Sequence, residues 1–117
     1  MEAEKQVVEV AVEVHKNLGL GFTGPAYRQA LAYELELRKI PYERQKKIKV
    51  SHRGNLSDEA TLDLIVDGSV VVDVRAQEPL SAADETRMKN YLKATKISRG
   101  VLIDFGRDHL EICSVDR

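Results

Sequence analysis

Apolar and polar positions alternate most clearly between Thr61 and Arg75, in the stretch TLDLIVDGSVVVDVR. Leu62, Leu64 and Val66 share one side of a first strand, and Val70, Val72, Val74 and Ala76 share one side of a second. The opposite sides carry Thr61, Asp63 and Ile65, then Val71, Asp73 and Arg75. Asp67-Gly68 alone suggests a two-residue hairpin turn. Joining the two all-apolar sides into one buried face needs a three-residue loop or another odd count. The pattern outranks the turn rule, because a one-residue slip would move acids into the core. Asp63 and Asp73 then share the other face, where two carboxylates repel unless a cation sits between them. A divalent metal is the natural candidate.

The same reading divides the rest of the chain. Val7, Val8, Ala11, Val14 and Leu18 have helical spacing over about residues 3–17, and Asn17-Leu-Gly-Leu-Gly stops that helix. A second helix is predicted from Pro25 to about Lys39, with Tyr27, Ala30, Leu31 and Leu35 on its inner stripe. Tyr42 to Val50 suits a strand and is rich in cations: Arg44, Lys46, Lys47 and Lys49. Gly54 to Glu59 reads as a polar loop. Ser81 has the character of an N-cap, with Asp84 in a weak capping box, for a helix that reaches about Thr95. Strands fit Gly100 to Phe105 and His109 to Val115, with a turn at Gly106-Arg107-Asp108. The order is α-α-β-β-β-α-β-β, an α+β or mixed α/β domain with a central mixed sheet flanked by helices.

Composition narrows this only a little. The 117 residues suit a single domain spanning 1–117 with one core. Eighteen basic and nineteen acidic residues give a net charge of -1, so a polyanionic partner depends on how charge is distributed. The lone Cys113 excludes an internal disulfide and fits a reducing cytosol. No apolar run is long enough to span a bilayer, and Met1-Glu-Ala-Glu-Lys does not read as a signal peptide. A cytoplasmic protein is expected. His15 reads as a packing or loop-anchoring residue, since no His or Cys partner has metal-ligand spacing. Gly19-Leu-Gly-Phe-Thr-Gly follows a helix, not a strand, so its glycines read as turn formers.

The element order, with an acid on the second strand and Asp73-Val74-Arg75 on the third, resembles the PD-(D/E)XK nuclease superfamily and its restriction-endonuclease-like core. More narrowly, Val14-His15-Lys16-Asn17-Leu18-Gly19-Leu20-Gly21 is similar to the opening of the GxxExxY proteins. Ala30-Leu31-Ala32-Tyr33-Glu34-Leu35, Ile40-Pro41-Tyr42-Glu43-Arg44-Gln45 and Leu102-Ile103-Asp104-Phe105-Gly106 resemble later parts of that family.

The resemblance implies that Asp63 and Asp73 are ligands of one Mg²⁺. It implies a catalytic set of Asp63, Asp73 and Arg75, in which Arg75 stands where the motif has Lys. Arg can neutralise charge on phosphate, but it is effectively never deprotonated. Gly24 occupies the place of the first Glu of GxxExxY, and Arg87 that of a later Gln. Arg87 is then a phosphate contact, and the basic strand adds Lys46 and Lys49 as further nucleic-acid contacts. The expected function is that of a PD-(D/E)XK nuclease-like protein, ancestrally a Mg²⁺-dependent phosphodiesterase on nucleic acid, with activity weakened or lost. The alternative is a non-catalytic module that keeps the fold and binds nucleic acid or protein, including a second copy of itself as a homodimer.

Overall fold

The computed structural model describes residues 2–117 except 54, 77, 107 and 108; the side chains of residues 50–52 and 55–58 are also outside the description. The helix α1 (Glu2–Leu18) buries Ala3, Val7, Val10, Ala11 and Val14. Val10, not Val8, continues the buried stripe, and Leu18 is exposed at the helix end. The turn that follows uses Gly19 and Gly21 at positive φ, +72° and +97°, where a side chain would be strained. Tyr27 ties this turn down by donating to the Gly19 carbonyl at 2.6 Å, and its ring stacks on Phe105 at 4.5 Å. The helix α2 (Gly24–Leu37) starts at the N-cap Thr23, whose hydroxyl accepts from Ala26 N, with Pro25 in the first turn.

The five strands are β1 (Tyr42–His52), β2 (Asn55–Val66), β3 (Val70–Arg75), β4 (Arg99–Asp104) and β5 (Glu111–Asp116). They lie side by side in chain order, and only the β3–β4 pair is parallel. A parallel pair needs a crossover, which is α3 (Ala82–Thr95). The helices α1 and α2 cover one face, over Leu64, Val66, Val70, Val72, Val74, Val101 and Ile103. Met88 and Leu92 of α3 cover the other, over Leu62, Ile65, Val71, Leu102 and Val115. Gly100 lets Met88 lie flat on β4; a Cβ there would meet its sulfur at 2.5 Å.

The β2–β3 register, Leu64 with Val72 and Val66 with Val70, leaves a three-residue loop. Asp67 and Gly68 both take positive φ, and Ser69 N donates back to the Val66 carbonyl. Burial of the apolar side has therefore set the loop length, against the pull of Asp-Gly toward a two-residue turn.

The sheet departs from the sequence reading in three places. Leu62 packs against α3 with Ile65 and Val71, not with Leu64 and Val66. Gln45 takes a φ of +49° in β1 opposite Asp63, and the β1–β2 ladder skips that pair. The polar segment 55–59 is strand: β1 and β2 pair as far as His52 with Asn55. Their polar side chains are compatible with a ribbon that has β3 on its flank only at residues 64–66 of β2. The strand β5 opens at Glu111 instead of His109, and Arg107 and Asp108 of the expected turn lie outside the described residues.

Candidate functional site

Asp63 sits where β2 leaves β3. The backbone ladder between them ends at Leu64 with Val72, and the next N–H along, that of Val74, donates to Asp63 Oδ2 at 2.8 Å. A side chain has replaced a strand as hydrogen-bond partner, and this fixes the direction of the carboxylate. Oδ1 accepts from Arg28 Nη1 of α2 at 3.0 Å. One step further along the same register brings Asp73 beside Asp63, and their carboxyl groups share a hydrogen bond.

That pairing has an electrostatic cost. The Asp73 carboxyl is pushed up to about 7 by burial first, then by the hydrogen bond to Asp63 and that group's charge; Arg87 and Arg75 oppose the rise. Two acids that close cannot both ionise freely, so the pair retains a proton toward neutral pH. Tyr91 on α3 is also raised, by burial and by the charges of Asp73 and Asp63, with Arg87 and Arg75 opposing.

A chain of ion pairs surrounds the two acids. Arg87 Nη2 lies 3.9 Å from Asp73 Oδ2 and 2.5 Å from Asp84 Oδ1. Arg75 pairs with Glu78 at 3.1 Å and with Asp84. Asp84 is 4% exposed. Burial works against its charge, but hydrogen bonds from Ser81 and the two guanidiniums outweigh burial and hold its carboxyl below the ordinary range. It also closes the capping box at the start of α3, accepting from Ser81 N at 2.9 Å. Beneath Arg75, its neighbour on β4 is the fully buried Asp104. Arg75 Nε and Asp104 Oδ2 are buried without hydrogen-bond partners among the described residues.

Asp63, Asp73, Arg75 and Arg87 line one hollow of about 310 Å³, so four of the six residues singled out from the sequence converge. Lys46 and Lys49 do not join them. Both are exposed on β1; Lys46 borders a separate hollow with Ile65 and Thr95 and pairs with Glu43 at 3.0 Å. Lys49 faces Glu59 across the β1–β2 ladder. Arg28, Glu78 and Pro25 also line the hollow of Asp63 and Asp73 and had no part in the sequence reading of the site. Arg28 follows Tyr27 at the flank of an apolar stripe, where a charge normally reads as solvated. Asp84 was legible only as a cap. Gly24 lines the same hollow.

The resemblance implies a divalent cation in this hollow. Among the described residues no three His, Cys, Asp or Glu side chains converge as a metal cluster. Asp63 and Asp73 nevertheless present hard oxygens side by side, and the proton they retain marks a deficit of positive charge between them. Two carboxylates suit a single Mg²⁺ that keeps most of its waters. They do not suit a second ion.

The family model for the PD-(D/E)XK nuclease superfamily matches residues 1–115. Among solved structures, the chain is similar to the crystal structure of SSO0001, with a TM-score of 0.64 and 14% sequence identity. The alignment covers 80% of this chain and 50% of that chain, so this chain spans about half of SSO0001, and the likeness concerns the fold. No match was found among curated proteins.

Proposed function

Because the chain belongs to the PD-(D/E)XK nuclease superfamily, we propose that its hollow grips the phosphodiester backbone of nucleic acid around one Mg²⁺, with hydrolysis weakened or lost. The observation that carries this reading is the pair Asp63 and Asp73, facing each other within a ring of Arg28, Arg75 and Arg87. Asp63 and Asp73 would hold the ion, which when bound polarises a phosphate and acidifies its water. Arg75 and Arg87 orient phosphate oxygens through guanidinium edges turned to the hollow, each kept in place by Asp84. Glu78 steadies Arg75 from the exposed side.

Cleavage is weakened for a chemical reason. The residue two positions after Asp73 is Arg75, which cannot take a proton from water near neutrality. Its guanidinium is also committed to Asp84 and Glu78. The place of a third acid is taken by Gly24, which offers no ligand. Single- and double-stranded DNA and RNA labelled with a fluorophore test the proposal, by anisotropy at rising salt and by gels run with Mg²⁺ and Mn²⁺. Binding that falls steeply with salt, with cleavage slow or undetectable and any trace lost in Asp63→Asn, is the expected result. Affinity that does not change with salt, or is absent for every substrate, overturns it.

Gly24 offers a constructive test. A Cβ at this position meets nothing within 4 Å, so a side chain there has room. Gly24→Glu would add a third carboxylate to the hollow. Its expected effect is a gain of about tenfold in Mn²⁺ affinity by calorimetry, on the order of 1.4 kcal/mol for one added charged ligand. Unchanged affinity in a folded variant would show that this position does not face the ion.

A further inference from the structure

We propose that Arg28 is an exchangeable counter-ion that couples the two ligands of this site. It neutralises Asp63 while the hollow is free of polyanion, and it turns to a phosphate when one enters, which leaves Asp63 to the metal. The inference rests on the reading above, in which Asp63 and Asp73 hold one divalent cation.

The three arginines of the hollow are not held alike. Arg75 is gripped by Asp84 and Glu78, and Arg87 by Asp84 with Asp73 at longer range. Asp84 is buried, so these two guanidiniums are anchored by a charge that cannot easily leave them. Arg28 has a different hold: its ion pair is with Asp63 Oδ1 at 3.0 Å, on side chains 20% and 16% exposed. The carboxylate that holds Arg28 is the proposed ligand itself. A guanidinium and a metal ion therefore compete for one group, each disfavouring the other by proximity of like charge.

What would draw Arg28 away lies on its own helix. Gly24 and Pro25, at the N-terminus of α2, line the hollow, and the first turn of that helix carries no acid. Arg28 is four residues after Gly24, so its long side chain can serve Asp63 or an anion near the helix start. A phosphate there gives Arg28 a second partner and relieves Asp63 of its cation. Linkage then requires reciprocity: the factor by which polyanion tightens metal binding equals the factor by which metal tightens polyanion binding.

Calorimetric titration of Mn²⁺ tests this, with and without a short single-stranded oligodeoxynucleotide, after subtraction of Mn²⁺ binding to the oligonucleotide alone. The wild type is expected to bind Mn²⁺ about tenfold more tightly when the oligonucleotide is present, a coupling of ordinary size. Arg28→Gln is expected to bind Mn²⁺ alone about tenfold more tightly than wild type, with a smaller gain from the oligonucleotide, since only the direct attraction between ion and phosphate remains. Arg28→Lys keeps a competing charge and should retain coupling of the same sign. Arg28→Gln that binds Mn²⁺ no more tightly than wild type, or that keeps the full wild-type coupling, overturns the role of Arg28. If Arg28→Gln gives such a result while Mn²⁺ still binds wild type and not Asp63→Asn, the cation site stands and only the Arg28 inference falls. If Mn²⁺ binds none of the proteins, the cation reading falls and takes the inference with it.

Discussion

Asp84→Ala is expected to cost about 3 kcal/mol of folding stability, the largest loss of any single substitution around the hollow. The carboxylate is 4% exposed and serves three partners at once. It accepts from Ser81 N and the Ser81 hydroxyl, which closes the first turn of α3. It also carries the guanidiniums of Arg75 and Arg87, the first from β3 and the second from α3 itself. Alanine leaves both cations under-compensated, and Arg75 keeps only its exposed partner Glu78. Asp84→Asn should lose less, because its amide oxygen still reaches Ser81 N while the charge is gone. Because the folded-state carboxyl is held below its ordinary value, this contribution is present above the unfolded pKa and fades as pH falls through the folded value. Urea denaturation at neutral pH provides the measurement. A loss under about 1 kcal/mol would mean that Asp84 acts as a cap alone.

Asp73→Asn is expected to do the reverse and stabilise the metal-free protein at pH 8 by about 2 kcal/mol or more. The folded carboxyl sits near 7 against an ordinary 3.8, with burial as the main cause. Between these values the folded state holds a proton that the unfolded state has released, so wild-type stability falls as pH rises from about 4 to about 7 and stays lower above that. Asparagine carries no charge to desolvate, and its amide can donate to Asp63. The two proteins should therefore match near pH 4 and diverge toward pH 8. Saturating Mg²⁺ should close the gap from the wild-type side, by stabilising only the protein that has both ligands. A flat difference across that pH range would contradict the arrangement of the two acids.

The parts of this molecule that could be read from its sequence are those where burial leaves little choice. The register of the β2–β3 hairpin is one, because any slip would have put Asp63 or Asp73 into the layer under α1 and α2. The α3 helix is another: Ser81 and Asp84 announce its start by local chemistry, and the capping box is present. The flip at Leu62 had no such signal. It coincides with a left-handed conformation at Gln45 on the neighbouring strand, and glutamine is not a residue type that marks such positions.

The site divides along the same line. Asp63 and Asp73 stood out as acids in an apolar alternation, and Arg75 and Arg87 came with the family resemblance. Arg28 lies 35 residues from its partner Asp63, a separation that no local pattern bridges. The weight carried by Asp84 was hidden because capping already explained its presence. Lys46 and Lys49 were marked out by a run of cations, yet where a long ribbon carries its charges is a matter of tertiary geometry. Only the sheet order and the packing of α3 reveal that Lys46 borders a different hollow.

The most direct test of the facing acids as a seat for one cation is Mg²⁺ titration with a count of released protons, by calorimetry in buffers of different ionisation heat. With both ligands intact, one ion should bind per chain. About one proton should leave with each binding event near pH 6 and almost none near pH 9, since the ion displaces the proton that the pair retains. Asp63→Asn and Asp73→Asn should each abolish binding. Binding that persists in both variants, or an intact protein that takes up no Mg²⁺ at either pH, would contradict the account.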